Sequence, residues 1–324
     1  MEPGPVLVEE HRNGRVQAVH CGHAVLLAPD GGIQAAWGDP GTATYWRSSA
    51  KPLQAIAFAR VLDAYGLGDE ELALACGSHM AEALHIQAAR RILAAAGLDE
   101  TLLRCGRHDV DERWAGPRPP GGWTEIHNNC SGKHAAMLAV CARRGWSLED
   151  YLDPTHPLQQ EILGLVARAT GLGKGQVPFG VDGCGLPTYF LPISALARAY
   201  RWLVVGGDPV AARTLAAVAD HPLLVAGRDR LDTDLPRATA GRVVSKIGAL
   251  GVHAAVDLAT GAAYAAKLAD GSSPARDALT VEALTAGGWL RPEEADRLAR
   301  HARPAVTDNQ GTPLGAFVAR LPQP

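Results

Sequence analysis

Lysine is scarce in this chain. Of 31 basic residues in 324, only five are Lys, at 51, 133, 174, 246 and 267, and the other 26 are Arg. A guanidinium keeps its proton near neutral pH, whereas a buried amine can release it. A chain that uses Arg wherever a solvated cation will serve makes each remaining Lys informative about chemistry. Excess charge of one sign is also lacking. The net charge of −3 gives no electrostatic reason to bind nucleic acid or an anionic membrane. No apolar run approaches the roughly 20 residues of a membrane span. The start, Met1-Glu2-Pro3-Gly4-Pro5, has neither a basic region nor an apolar core, so no signal peptide is expected and the cytoplasm is the expected compartment. There is no internal repeat and no low-complexity segment. The six cysteines (21, 76, 105, 130, 141 and 184) are scattered, which favours thiols or metal ligands over a disulfide framework.

What remains is an ordinary globular composition, 47% hydrophobic and 20% charged, long enough for one or two domains. Short apolar runs at 6–8, 16–19 and 24–27, separated by Asn13-Gly14 and Asp30-Gly31-Gly32, predict an N-terminal antiparallel meander. Helices are expected from within the 45–54 stretch to about Tyr65, at 69–76, from Ala81 to Ala96, from the Cys130 region to Gly145, after a cap at Ser147, and over 158–170, 193–205 and 208–219. Strands follow at 242–248, 252–256 and 262–267, then helices at 276–286 and 292–302 and a last strand at 314–321. Strands at both ends with helices between them predict an α+β fold. Residues 1–45 and 225–324 would form a sheet lobe, and 46–224 a helical lobe carrying most of the site.

Three groups of residues could carry chemistry. In Ser48-x-x-Lys51 the two side chains share a helix face, and a neutral lysine one turn from a serine can act as its base. That requires the amine to fall from ~10.4 to near 7, worth roughly 4–5 kcal/mol of desolvation or cationic repulsion. An N-cap serine beside a solvated lysine is the plain alternative. Ser245-Lys246-Ile247-Gly248 lies on an expected strand, and Ser78 sits in the break between two helices. Serine acyl-enzymes pair Ser-x-x-Lys with such a Lys-x-Gly strand and a further loop serine, though Ser78-His79 could equally be a helix cap. Cys130, Lys133, His134, Asp182 and Cys184 form the third group. Thiolates and imidazoles suit zinc, while Cys130 could instead be a catalytic thiol and Cys184 a buried structural one. Gly171-Leu172-Gly173-Lys174-Gly175 lacks the Walker spacing and reads as a loop. His108 and His127 could line a site or be core histidines.

These segments together resemble the Rhizobium etli-type (class 3) L-asparaginases, the asparaginase II family. The likeness is carried by Arg47-Ser48-Ser49-Ala50-Lys51-Pro52-Leu53-Gln54, Gly77-Ser78-His79, Asn128-Asn129-Cys130-Ser131-Gly132-Lys133-His134, Asp182-Gly183-Cys184-Gly185 and Lys246-Ile247-Gly248. The resemblance implies a fold similar to serine β-lactamases and glutaminases, and the hydrolysis of L-asparagine by two Ser–Lys tandems, Ser48 with Lys51 and Ser78 with Lys246. It implies a zinc site of Cys130, Lys133 and Cys184, supported by Asp182 and His134, and a homodimer. Two positions depart from the family's pattern, Ala81 where Gly is usual and Arg107 where Pro is usual, and both bear on pocket shape. A glutaminase or another serine acyl hydrolase of the penicillin-recognising type, and a non-catalytic zinc- or amino-acid-binding protein, are the competing readings.

Overall fold

A computed structural model of the chain describes residues 2–321. It divides into two compact units. One holds the chain up to Ser49, Phe190–Val205 and the chain from Asp234 onwards; the other holds Ala50–Tyr189 and Gly206–Thr233.

The first unit is built on an antiparallel sheet. Its strand order is Ala305–Thr307, Pro313–Ala319, Val6–Arg12, Arg15–Leu27, Ala263–Leu268, Val252–Asp257, Val243–Gly248, with Ile33–Trp37 also paired to Arg15–Leu27. Both chain ends supply strands, as their short apolar runs predict. The runs at 16–19 and 24–27 differ from expectation: they form one 13-residue strand. Its first half pairs with Val6–Arg12 through two register shifts, and its second half with Ala263–Leu268 and Ile33–Trp37. The polar residues between the runs are carried along because each finds a partner. His20 bonds Asp270, and His23 takes the Asp39 N–H at 2.9 Å. Val252–Asp257 and Ala263–Leu268 are buried along their whole length, so both faces are covered there. Helix Ile193–Val205 packs on these two strands and on Arg15–Leu27, and helix Ser273–Ala286 on strands that include both chain ends. Between Val243–Gly248 and Val252–Asp257 the register sets Lys246 opposite Ala254. Ala43–Tyr45 pairs with the Phe190–Pro192 part of a separate small strand. The expected helix at 292–302 breaks at Leu298 into Pro292–Arg297 and Ala299–Ala302.

The second unit is helical. Helix Lys51–Ala59 is its centre: all nine residues are buried, and it touches helices Asp69–Ala75, Ser131–Arg144, Pro157–Thr170 and Pro209–Asp220. It stops six residues before the expected end. The chain turns at Arg60, which reaches Glu161 at 2.8 Å, and a 3₁₀ turn, Leu62–Tyr65, buries Leu62 before Gly66 closes it in the left-handed conformation. Ser147 does not cap a helix; its hydroxyl accepts the Glu149 N–H in a local turn. Phe179–Val181 pairs with Pro187–Tyr189 around the Asp182–Gly185 turn. All six cysteines are free thiols. Among the described residues no helix is long and apolar enough to cross a membrane.

Candidate active site

Lys51 opens its helix directly after a 3₁₀ turn, Arg47–Ala50, with Pro52 in the first helical turn where no intrahelical donor is lost. Its side chain is fully buried. The amine donates to Gly77 O, to Ser78 Oγ at 3.0 Å and to Asn129 O at 3.3 Å. None of these acceptors is a carboxylate. Burial therefore lowers the Lys51 pKa, the Lys133 cation adds to the fall, and only the sulfurs of Cys130 and Cys184 oppose it. The amine is thus driven towards the neutral form in which it can accept a proton.

Ser78 is held for this contact by its backbone. Helix Asp69–Ala75 is capped by Cys76 and followed by Gly77, where a side chain would lie 2.8–3.0 Å from the carbonyl oxygens of Leu224, Leu74 and Val225. Only glycine lets three carbonyls crowd so close. The Ser78 N–H then bonds Val225 O at 2.7 Å and the His79 N–H bonds Asn129 O at 3.2 Å. The His79 ring is clamped between Ser131 Oγ at 3.0 Å and the Ala81 N–H at 3.2 Å, and stacks on His85 with centroids 5.0 Å apart. Burial first, and then the neighbouring imidazoles and Lys51, hold His79 well below the ordinary histidine range, so it is neutral. Ala81, the departure noted above, sits at φ +56°, a left-handed conformation that glycine adopts freely and alanine does not.

Ser48 lies in the turn before Lys51 and is half-buried, whereas Ser49 is sealed inside with its hydroxyl on Trp46 O at 2.6 Å. Of the two serines, Ser48 is therefore the one a substrate could reach. Tyr200 pins the turn through a 2.8 Å bond to Ser49 O. Lys246, in the sheet unit, is fully buried and donates to Ile247 O at 3.1 Å. The glycine of Lys246-Ile247-Gly248 has a steric reason: a Cβ at Gly248 would stand 2.7 Å from Trp46 O.

The third group converges at the start of helix Ser131–Arg144, where Cys130 is the N-cap. Gly132 is required because a Cβ there would stand 2.5 Å from Leu74 Cγ. Asn128 sets the entry, its Oδ1 taking the Cys130 N–H at 2.8 Å while its amide donates to Cys105 O and Gly106 O. Lys133 reaches Cys184 Sγ at 3.3 Å. A hydrogen bond from Cys130, with Lys133 nearby, draws the Cys184 thiol down to about 4. That same bond, with burial, pushes Cys130 up to about 11. Burial works against the Lys133 charge, but Cys184, Cys130 and the Asp182 carboxylate outweigh it and raise its pKa. His134 turns Nδ1 to Tyr151 Oη at 2.8 Å, leaves Nε2 buried without a hydrogen-bond partner, and is pushed down to about 3 by burial and by Lys133. Asp182 shapes its turn through Leu186 O and the Gly185 N–H. Among the described residues no three His, Cys, Asp or Glu are placed to hold a metal. A ligand set here needs Lys133 as its third donor.

Tyr151, Ser131 and the carbonyls of Gly77 and Asn129 escaped the sequence reading. Carbonyls carry no residue signature, and Tyr151 is 17 residues from the histidine it holds. His108 is exposed, and His127 packs edge-on to Trp123 with its Nδ1 facing Thr124.

Comparison with solved structures finds a β-lactamase from Mycobacterium bovis at TM-score 0.45 and 15% identity, covering 82% of this chain and 94% of that one. A candidate β-lactamase from Bacteroides dorei scores 0.42 at 14% identity, covering 82% and 93%. EstCE1, described as a hydrolase with promiscuous acyltransferase activity, scores 0.36 at 11% identity, covering 92% and 94%. Comparison with curated proteins gives no match. The family assignment comes from sequence. The model of the L-asparaginase II family matches residues 8–319, which takes in every motif described above, and the chain belongs to that family.

Proposed function

We propose that this amidohydrolase of the asparaginase type hydrolyses L-asparagine to L-aspartate and ammonia. One observation carries the reading: a fully buried Lys51 amine, with no carboxylate partner, sits 3.0 Å from Ser78 Oγ and one helical turn after the accessible Ser48. A surface or purely structural lysine has no need of such a setting.

In this reading Ser48 Oγ attacks the side-chain carboxamide carbon, and its proton passes to neutral Lys51. As the tetrahedral adduct collapses, the C–N bond breaks and Ser78 gives its proton to the leaving nitrogen, which departs as ammonia. Lys51 restores the Ser78 proton. Water then attacks the Ser48 ester by the reverse proton path and releases aspartate. Lys246 remains the second lysine of the pattern, with a proton-relay role.

The residues at the third group fit a zinc ion. Two sulfurs and an amine meet in a buried spot, one sulfur is already charged, and the His134 Nε2 is left without a protein partner. Cys130, Cys184 and Lys133 would hold it, and it would supply a fixed positive charge that orients the substrate. Lys133 and Cys130 must shed their protons to bind it.

The test is ammonia release from L-asparagine and L-glutamine, side by side. Asparagine turnover that is lost in Ser48→Ala, with an unchanged circular dichroism spectrum, is the expected result. Full activity in that variant, or turnover of glutamine alone, would overturn the proposal.

A further inference from the structure

The sheet unit contains a second cleft, lined by none of the residues assigned above. Helix Leu231–Ala238 supplies Asp234, Arg237 and Ala238, and the two short helices Pro292–Arg297 and Ala299–Ala302 supply Arg297 and Arg300. Together they surround a cavity of about 230 Å³. Its lining holds three arginines and one carboxylate, Asp234.

That carboxylate is already committed. Asp234 Oδ2 takes Arg300 at 2.5 Å and His301 Nε2 at 2.7 Å. Burial works against its charge, but these two hydrogen bonds outweigh it and keep the group ionised. Arg297 spends a single donor, at 3.3 Å, on Ala238 O, the last carbonyl of its helix. Arg237 is exposed and makes no hydrogen bond or ion pair among the described residues. The cleft therefore keeps a local positive excess in a chain whose net charge is −3. Like charges gathered at one cleft repel unless an anion joins them.

We propose that this cleft binds a phosphate-bearing anion. A carboxylate has two oxygens and is served by one guanidinium fork, whereas a phosphate offers three or more around a centre. Forks arriving from three helical segments match the second shape. The volume also admits a diphosphate.

The experiment is isothermal titration of the full chain with inorganic phosphate, pyrophosphate and ATP, each against sodium chloride at matched ionic strength. Saturable one-site binding of at least one phosphate ligand is expected. Arg237→Gln and Arg297→Gln should each weaken it by about tenfold or more, the loss expected for a charge-assisted fork. Arg168→Gln, an exposed arginine of the other unit, should leave it unchanged. The ranking of the three ligands then identifies free phosphate, diphosphate or nucleotide as the source. Absence of saturable heat at millimolar ligand would overturn the proposal, as would equal losses in Arg168→Gln or an identical response to chloride. The readout is heat of binding, so its failure is distinct from a failure to turn over asparagine.

Discussion

Lys51 and Lys133 belong to the same helical unit, each nearly without solvent exposure, yet their amines are driven in opposite directions. Lys51 donates to two carbonyls and a hydroxyl, which carry no counter-charge, and the Cys130 and Cys184 sulfurs only partly offset its burial. Burial wins there and the pKa falls. Lys133 meets a charged sulfur and the Asp182 carboxylate, and the neighbours win. Burial alone does not set a lysine's protonation state; the balance between burial and the charge of the neighbours does. One lysine is thereby fitted to take a proton. The other is fitted to keep one until something more positive replaces it.

The sharpest way to break this contrast is to make Lys51 a permanent cation. Lys51→Arg keeps the charge but cannot deprotonate, and we expect ammonia release to fall by about 10⁴-fold or more, the scale seen when a catalytic unit loses its base. In the unaltered enzyme, kcat/KM should decline as pH falls, through an apparent pKa below the ordinary lysine value of 10.5, because protonating Lys51 removes the base. A pH–rate profile flat on its acidic side would sink the assignment. The Lys133 side of the contrast rests on sulfur. Cys184→Ser should lower zinc affinity by at least about 10–100-fold, the cost of losing even an outer-shell partner, as measured by metal content after dialysis. It should also lower the Lys133 pKa, since the charged sulfur is what raises it.

Two backbone substitutions refine the picture with smaller effects. Gly77→Ala forces a methyl against three carbonyl oxygens, and we expect a loss of about 1–3 kcal/mol in chemical denaturation, with reduced turnover because Gly77 O and Ser78 both serve Lys51. Ala81→Gly relieves a left-handed alanine and should raise stability by up to about 1 kcal/mol, less the entropy glycine adds to the unfolded chain. A destabilised Ala81→Gly would mean that the buried methyl's packing outweighs the strain.

The sequence made some of this legible and hid the rest for identifiable reasons. The strands at both chain ends were readable because short apolar runs stand between turn residues. The continuity through 20–23 was not, since polar His20 and His23 interrupt the apolar runs, and their partners Asp270 and Asp39, the latter just past strand Ile33–Trp37, lie elsewhere in the chain. Helix Lys51–Ala59 was readable in its start, where Pro52 marks the first turn, and not in its end, where packing of Leu62 overrides propensity. Ser48, Lys51, Ser78, Lys246 and the Cys130–His134 block stood out as residue types rare enough to notice. Their acceptors did not, because Gly77 O and Asn129 O are backbone atoms that any residue would supply.

By itself, then, the sequence determined the inventory: five lysines among 26 arginines, a serine one turn before one of them, and two cysteines flanking another. It also determined the glycines at 77, 132 and 248, without saying why they are needed. Only the tertiary structure decided which hydroxyl Lys51 touches, that Lys133 faces sulfur, that His79 stays neutral, and that Ala81 is held in a conformation it would not choose. The physical reason is common to all four. Protonation and strain depend on what surrounds a group within a few ångströms, and for the two lysines and His79 those surroundings come from segments tens of residues apart in the chain.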